Sequence, residues 1–255
     1  MVVNTPRMKM AGMAVAGVLA GCTASMKTQT IIPRQIEQAA IAVLPVAHDD
    51  AFVFEYANDQ LESLNLLAPG PLGTALSAVA GASRRSAFND EFSLTNAEYA
   101  QHAQMAMVNA LVAAGFEAIV VEDRGLIGGE RKRGLLKSVP AIAHHNPDAV
   151  LESVIDLGFV ASGRGQPYRP MVWLSVRLWG ADSTILMQDR ILFNALTSDD
   201  GAVITATGIR LHVPDSLQFS DRDAVLEAER ADAALRFGVE AAAREIDLLL
   251  TGPWQ

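Results

Sequence analysis

Ala149-Val-Leu-Glu-Ser-Val-Ile-Asp-Leu-Gly-Phe-Val-Ala161 is the stretch whose reading decides the fold. Leu151, Ile155, Leu157 and Phe159 are separated by even numbers of residues, so a strand turns all four to one face. After the flexible connection Gly163-Arg-Gly-Gln-Pro167, Met171 to Trp179 repeats the pattern. Val172, Leu174, Val176 and Leu178 share one face, and Met171, Trp173, Arg177 and Trp179 share the other. Gly180-Ala-Asp-Ser183 then supplies a tight turn into Ile185–Phe193. Links this short join antiparallel neighbours, because a parallel return needs a crossover of about a dozen residues or more. A three-strand antiparallel meander is the expectation, with Gly208–Val213 as a further short strand ended by Pro214.

Upstream, Ile41-Ala-Val-Leu-Pro-Val46 is a short apolar, β-branched run that reads as a buried strand. Pro45 donates no ladder hydrogen bond and belongs at a strand end or edge. Thr95 opens a helix with Glu98 three residues on, the spacing of a capping box. Tyr99, His102, Met105 with Ala106, Val108 with Asn109, and Val112 recur at helical spacing before Gly115 stops the helix. Phe116–Val121 follows as a strand, and with Ile41–Val46 it predicts a right-handed βαβ crossover. Near the end, Ser220 is expected to cap a closing helix running to about Leu250. Its apolar stripe is Val225, Ala228, Leu235, Val239, Ala242, Ile246 and Leu249. Asp232–Arg236 and Glu240–Arg244 are acid-before-base pairs at i, i+4 and mark a solvated face. The fold class is thus α/β (α+β): one βαβ-type unit and an antiparallel meander in a mixed sheet, with a long C-terminal helix packed on it.

The first two dozen residues carry an address. Arg7 and Lys9 precede an unbroken run of apolar and small residues from Met10 to Ala20, which ends in Leu19-Ala20-Gly21-Cys22. Such a segment reads as a secretory signal peptide; a membrane-spanning helix needs roughly 20 apolar residues. Leu-Ala-Gly-Cys resembles the lipobox of bacterial lipoprotein precursors. The resemblance implies cleavage before Cys22 and acylation of that residue, the single cysteine of the chain. Thr23, where an inner-membrane retention signal has aspartate, directs the expectation to the outer membrane, with the protein facing the periplasm. The expected organisation is a signal peptide over 1–21, a flexible tether over 22–38, and one periplasmic domain over 39–255 with a helical insertion at about 48–93.

Composition narrows the function classes. Half of the residues are hydrophobic and 19% are charged, which suits a packed domain rather than a disordered chain. The net charge is −9, and removal of Arg7 and Lys9 makes it more negative. An acidic surface repels nucleic acid and anionic head groups. Acylation of Cys22 leaves no thiol for a disulfide or a cysteine-held metal. The expected partners are the membrane, through the anchor, and an envelope protein, with homo-oligomerisation open; no cofactor is expected.

No catalytic set assembles in the sequence. His144 and His145 with Asp148 hint at a metal site, but adjacent histidines diverge on any regular element and Asn146-Pro147-Asp148 reads as a turn. Glu152 and Asp156 share a strand face at i, i+4, about 13 Å apart at strand rise, too far for a glycosidase pair. Two stretches are left as candidate partner-binding sites. One is the basic, glycine-rich loop from Arg124 to Lys137, with Arg131, Lys132 and Arg133 at its centre. The other is the strand face of Trp173, Arg177 and Trp179, unless a helix covers it. Leu72–Ala82, small and apolar, reads either as a buried helix or as a patch for self-association or membrane contact.

The order Ile41-Ala-Val-Leu-Pro-Val46, helix, strand, Asp148-Ala-Val-Leu-Glu-Ser-Val-Ile-Asp-Leu-Gly158 and the hairpin Val176-Arg-Leu-Trp-Gly-Ala-Asp182 resembles a small α/β domain of envelope proteins. That domain is shared by the N-terminal domain of TolB, the lipoprotein activators of penicillin-binding proteins and the curli secretion lipoprotein. The resemblance spans Ile41 to Asn194 and bears on the fold more than on function; the family's Thr-Gly-Glu turn is replaced here by Ser183-Thr184-Ile185. With the lipobox and the lack of an assembled catalytic set, the adaptor-type fold leads to the expectation of a non-catalytic binding or assembly role, or else a structural subunit of an oligomeric secretion or surface complex. The first expectation is direct. Replacing Cys22 by Ser should abolish incorporation of labelled palmitate in cells and release the protein from the membrane fraction; a labelled Cys22→Ser chain would contradict the lipobox.

Overall fold

The computed structural model describes residues 39–48, 50–56, 83, 85–122, 131–132, 135–138, 147–193, 209–211 and 213–251. The strands are β1 (Ala40–Val43), β2 (Ala47–His48), β3 (Val53–Tyr56), β4 (Glu117–Val120), β5 (Arg131–Lys132) and β6 (Leu135–Leu136). β7 (Ala149–Ala161), β8 (Arg169–Gly180), β9 (Ile185–Phe193) and β10 (Ile209–Leu211) complete them. The helices are α1 (Asn96–Ala113), α2 (Arg222–Val225) and α3 (Ala228–Thr251). The main sheet runs β10-β9-β8-β7-β1-β4, with β2 and β3 also paired to β7, and β5 and β6 form a separate two-stranded ribbon. The sheet is mixed: β7, β8 and β9 are antiparallel, while β1 lies parallel to both β7 and β4 and β10 lies parallel to β9. The α/β architecture, the meander and the parallel β1–β4 pair are those the sequence predicts.

β7 is the hub of the sheet. One of its edges carries β8 along nearly its whole length. Its other edge carries β1, β2 and β3 in succession, all parallel to it. From Ile41 to Val53 the chain advances twelve residues, while its partners on β7 advance only nine, from Ala149 to Gly158. The surplus is absorbed in two breaks. Pro45 sits in the first, where no ladder donor is needed. At the second, Asn89 supplies what a strand would: its Oδ1 accepts from Phe52 N–H at 2.7 Å and its Nδ2 donates to Phe52 C=O at 3.0 Å. Gly158 lets β3 close on β7, because a Cβ there would sit 1.9 Å from the Val53 carbonyl oxygen.

α1 and α3 pack on the sheet face that carries Leu151, Ile155, Leu157 and Phe159 from β7 and Val172, Leu174, Val176 and Leu178 from β8. Gly238 of α3 meets the sheet closely, since a Cβ would lie 2.7 Å from Phe193 and 2.8 Å from Val172. Gln104 of α1 reaches past the helix to donate to the carbonyls of Val43 and Val121, at 3.0 and 3.1 Å, where β1 and β4 end. At the other end of β7 the core is aromatic. Phe54 stacks on Phe88 at 4.2 Å and on Tyr168 at 4.5 Å, and Phe159 meets Phe88, Phe92 and Phe219 edge-on. These rings tie β3 and the helical residues 85–91, both within the span read as an insertion, into the main core.

Several local expectations are corrected. Thr95 stands at the N-cap of α1, but its side chain makes no capping hydrogen bond. The cap ahead of the closing helix is Asp221, which accepts from Ala224 N–H at 2.9 Å, and Ser220 only hydrogen-bonds to Asp221. The helix itself is interrupted between Val225 and Ala228, so α2 and α3 are distinct. Asp232 is not merely solvated. It accepts from the Tyr99 hydroxyl at 2.8 Å while Arg236 Nε contacts both its oxygens at 2.9 Å. Burial opposes its charge, yet the hydrogen bonds from Arg236 and Tyr99 outweigh this and hold its pKa below the ordinary value. Gly115 does end α1, with φ +90°.

Gly158→Ala should destabilise the domain by at least about 1–3 kcal/mol, the usual cost of overpacking, since backbone rather than a movable side chain stands in the way. Chemical denaturation measures this; a variant as stable as the parent would contradict the β3–β7 approach.

Candidate functional site

The sheet face opposite α1 and α3 collects the tryptophan strand. Ladder pairing sets its rows: Val150 beside Trp179, Glu152 beside Arg177 and Gln188, Val154 beside Ser175 and Arg190, and Asp156 beside Trp173 and Leu192. Trp173 and Trp179, six residues apart on β8, are about 20 Å apart at strand rise. Each ring carries a guanidinium: Arg190 lies 5.5 Å from the Trp173 centroid and Arg177 lies 5.1 Å from that of Trp179. The attraction is that of a cation for the negative face of an indole.

The two ends of this face differ. At the Trp179 end the surface is closed. Glu152 is 1% exposed and Trp179 4%. Trp179 Nε1–H donates to Glu152 Oε2 at 3.2 Å, and Leu136 N–H donates to Glu152 Oε1. Arg177 donates from Nε to Gln188 Oε1 at 2.9 Å and from Nη1 to Leu136 C=O at 2.6 Å, with Glu152 Oε2 4.0 Å away. Burial drives the Arg177 guanidinium's pKa down and the Glu152 charge pulls it back up. Leu136, Ala42, Leu44, Val121, Val150 and Trp179 form a second, small core here. At the other end, Trp173, Ser175 and Arg190 are half-buried.

The sequence-predicted residues therefore separate. Arg177 and Trp179 meet, but as parts of a closed polar cluster, and Trp173 joins Arg190 instead. No helix covers this face among the described residues; the cover at the Trp179 end is β6. The Arg124–Lys137 loop is accordingly not wholly irregular, since the backbones of Arg131 and Lys132 form β5 and pair with Leu136 and Leu135. Arg133, Cys22, the tether, Leu72–Ala82, His144 and His145 lie outside the described residues. Asp148 acts as a turn residue: its Oδ2 accepts from Ala40 N–H at 2.8 Å and its own N–H donates to Ala40 C=O at 2.9 Å. Among the described residues no three of His, Cys, Asp and Glu are grouped to hold a metal, and no helix is long and apolar enough to cross a membrane.

Glu152 and Gln188 were not singled out in the sequence as partners of Arg177. The signal was present in the alternation, which puts Glu152 on the same face as Asp156, but pairing register was needed to bring it to Arg177. Asp189 was also unremarked. It points to the helix side, where burial raises its pKa against the hydrogen bond it accepts from Arg190 N–H at 2.7 Å.

No family model matches the chain, and no curated protein matches it. Among solved structures, the PelC dodecamer from Paraburkholderia phytofirmans aligns with 88% of this chain and 96% of its own, at 10% identity and a TM-score of 0.38. A DUF330 protein from Xanthomonas campestris aligns with 88% of this chain and 93% of its own, at 12% identity and a TM-score of 0.36. Likeness at this level leaves the function to be argued from the chain's own residues.

Glu152→Ala leaves Leu136 N–H and Trp179 Nε1–H without an acceptor and Arg177 without a counter-charge, a loss expected to cost about 3–5 kcal/mol. Glu152→Gln retains one acceptor oxygen and should cost less, about 1–3 kcal/mol. Denaturation curves at neutral pH rank the two; equal stability of Glu152→Ala and the parent would contradict the cluster.

Proposed function

We propose that the chain is a lipid-anchored, non-catalytic envelope protein that binds a protein or cell-wall partner from the periplasmic side of the outer membrane. The observation that carries the reading is Leu19-Ala20-Gly21-Cys22 behind a charged, then apolar, leader. Attachment through two or more acyl chains makes membrane residence stable by itself, so the folded body needs no membrane-binding surface of its own. The half-buried end of the sheet face, with Trp173 under Arg190 and Ser175 beside Arg190, supports a binding role. Aromatic and arginine side chains are the residues that carry most binding energy at protein interfaces.

A second reading, a structural subunit of an oligomeric secretion or surface complex, is favoured by the helical layer. Met105 and Val112 of α1 and Phe237 and Leu248 of α3 leave between 41% and 58% of their surface exposed. Within each pair the spacing of seven or eleven residues returns to the same side of the helix. A photo-crosslinking residue placed at position 173, and separately at 105 and 237, distinguishes the two in cells. A saturable adduct from 173 alone fits the partner-binding reading; adducts of twice the chain mass from 105 and 237 fit self-assembly. Turnover of a cell-wall or ester substrate by the purified chain, abolished by a single point change, would overturn both.

A further inference from the structure

Leu136 is held on the sheet in a manner separate from strand pairing. Glu152 of β7 and Arg177 of β8 are direct cross-strand partners, so a carboxylate and a guanidinium project side by side from one face. Leu136 lies across them. Its N–H donates to Glu152 Oε1, and its C=O accepts from Arg177 Nη1 at 2.6 Å. The pair thus offers one extended residue what a strand edge offers, an acceptor and a donor, here strengthened by charge. The Leu136 side chain packs in an apolar recess of Ala42, Leu44, Val121, Val150 and Trp179.

Among the described residues β6 shares no ladder with the eight-stranded sheet; its strand partner is β5. Among the described residues, the two side chains and the recess hold it to the sheet. A buried carboxylate beside a half-buried guanidinium carries a desolvation cost that aliphatic side chains of similar size would not. Their presence is understandable where a backbone has to be recognised. The recognition is generic in its polar part, since every non-proline residue presents the same N–H and C=O. It is selective in its apolar part, which admits a leucine.

We propose that Glu152, Arg177 and the adjoining recess form a seat for one residue of an extended, leucine-bearing peptide, and that Leu136 fills it in cis as an exchangeable occupant. The external occupant that fits is the same segment of a second copy, Arg131-Lys-Arg-Gly-Leu-Leu-Lys-Ser138, which matches the recess by construction. Its bases also suit an otherwise acidic protein, whose net charge is −9. The seat stands whether or not the chain is lipid-anchored.

The test uses a fluorescein-labelled peptide of residues 131–138 and the full chain. Leu136→Asp places a carboxylate beside Glu152 and vacates the recess, and should bind the peptide at least tenfold more tightly than the parent chain. Adding Arg177→Ala should remove that gain. Equal affinity of parent and Leu136→Asp, or a gain that survives Arg177→Ala, overturns the seat. Native-state hydrogen exchange on the unsubstituted chain tests exchangeability without a variant. The Leu136 amide should exchange at least 100-fold faster than that of Leu151, which is buried in the β7 ladder. Equal rates would mean that Leu136 leaves only on global unfolding, and would overturn its role as an exchangeable occupant.

Discussion

The structure depends on β7 having both edges occupied. Its β8 edge is filled by a regular antiparallel ladder, and its other edge is filled by a chain that does not keep step with it. Parallel strands held rigidly in register would leave the surplus residues of 41–53 nowhere to go. The solution is a pair of breaks, one at a proline and one bridged by the Asn89 amide, together with a glycine where the edges close again. Everything at the far end of the sheet follows from that closure. It brings Phe54 against Phe88 and Tyr168, and it thereby recruits the helical residues 85–91 into the same core as α1 and α3.

Polar groups are spent sparingly inside this frame, and each set joins elements distant in sequence. Tyr99, Asp232 and Arg236 connect α1 with α3, and Gln104 connects α1 with the ends of β1 and β4. Glu152, Arg177, Trp179 and Leu136 connect the meander with the β5–β6 ribbon. An unpaired buried donor or acceptor is costly, so each set penalises misaligned packing of the elements it joins. The helices and the ribbon are therefore positioned by polar matching as well as by apolar area.

The meander was legible because a period of two is hard to produce otherwise: Leu151 to Phe159 and Val172 to Leu178 allow only one face inward. α1 was legible from its helical period and from Gly115, but its buried side was read only in part: Tyr99 and Val108 face the core, while Met105 and Val112 are largely exposed. The two caps were not, because Thr95 and Ser220 are residues of the right type whose side chains turn elsewhere, and type alone does not specify direction. The break between α2 and α3 left no proline or glycine to betray it. The aromatic end of the core was invisible for a different reason: Phe52, Phe54, Phe88, Phe92, Phe159, Tyr168 and Phe219 are single rings scattered along the chain, and only the closure of β3 on β7 collects them. The candidate site was half legible. Alternation placed Trp173, Arg177 and Trp179 on one face, but only cross-strand register shows that Arg177 answers to Glu152, and only the diagonal packing across β8 and β9 brings Arg190 over Trp173.

The grip of Asp148 on Ala40 has a mechanical meaning. Ala40 is bonded at both its N–H and its C=O to Asp148, and β1 beyond it runs between two parallel neighbours, β4 and β7. Tension applied to Ala40 along the β1 axis meets both ladders at once. Its rungs on either side are loaded together, in shear, instead of being peeled one after another. Against a pull of that direction β1 has the summed strength of two ladders, whereas the same strand at a sheet edge would offer one.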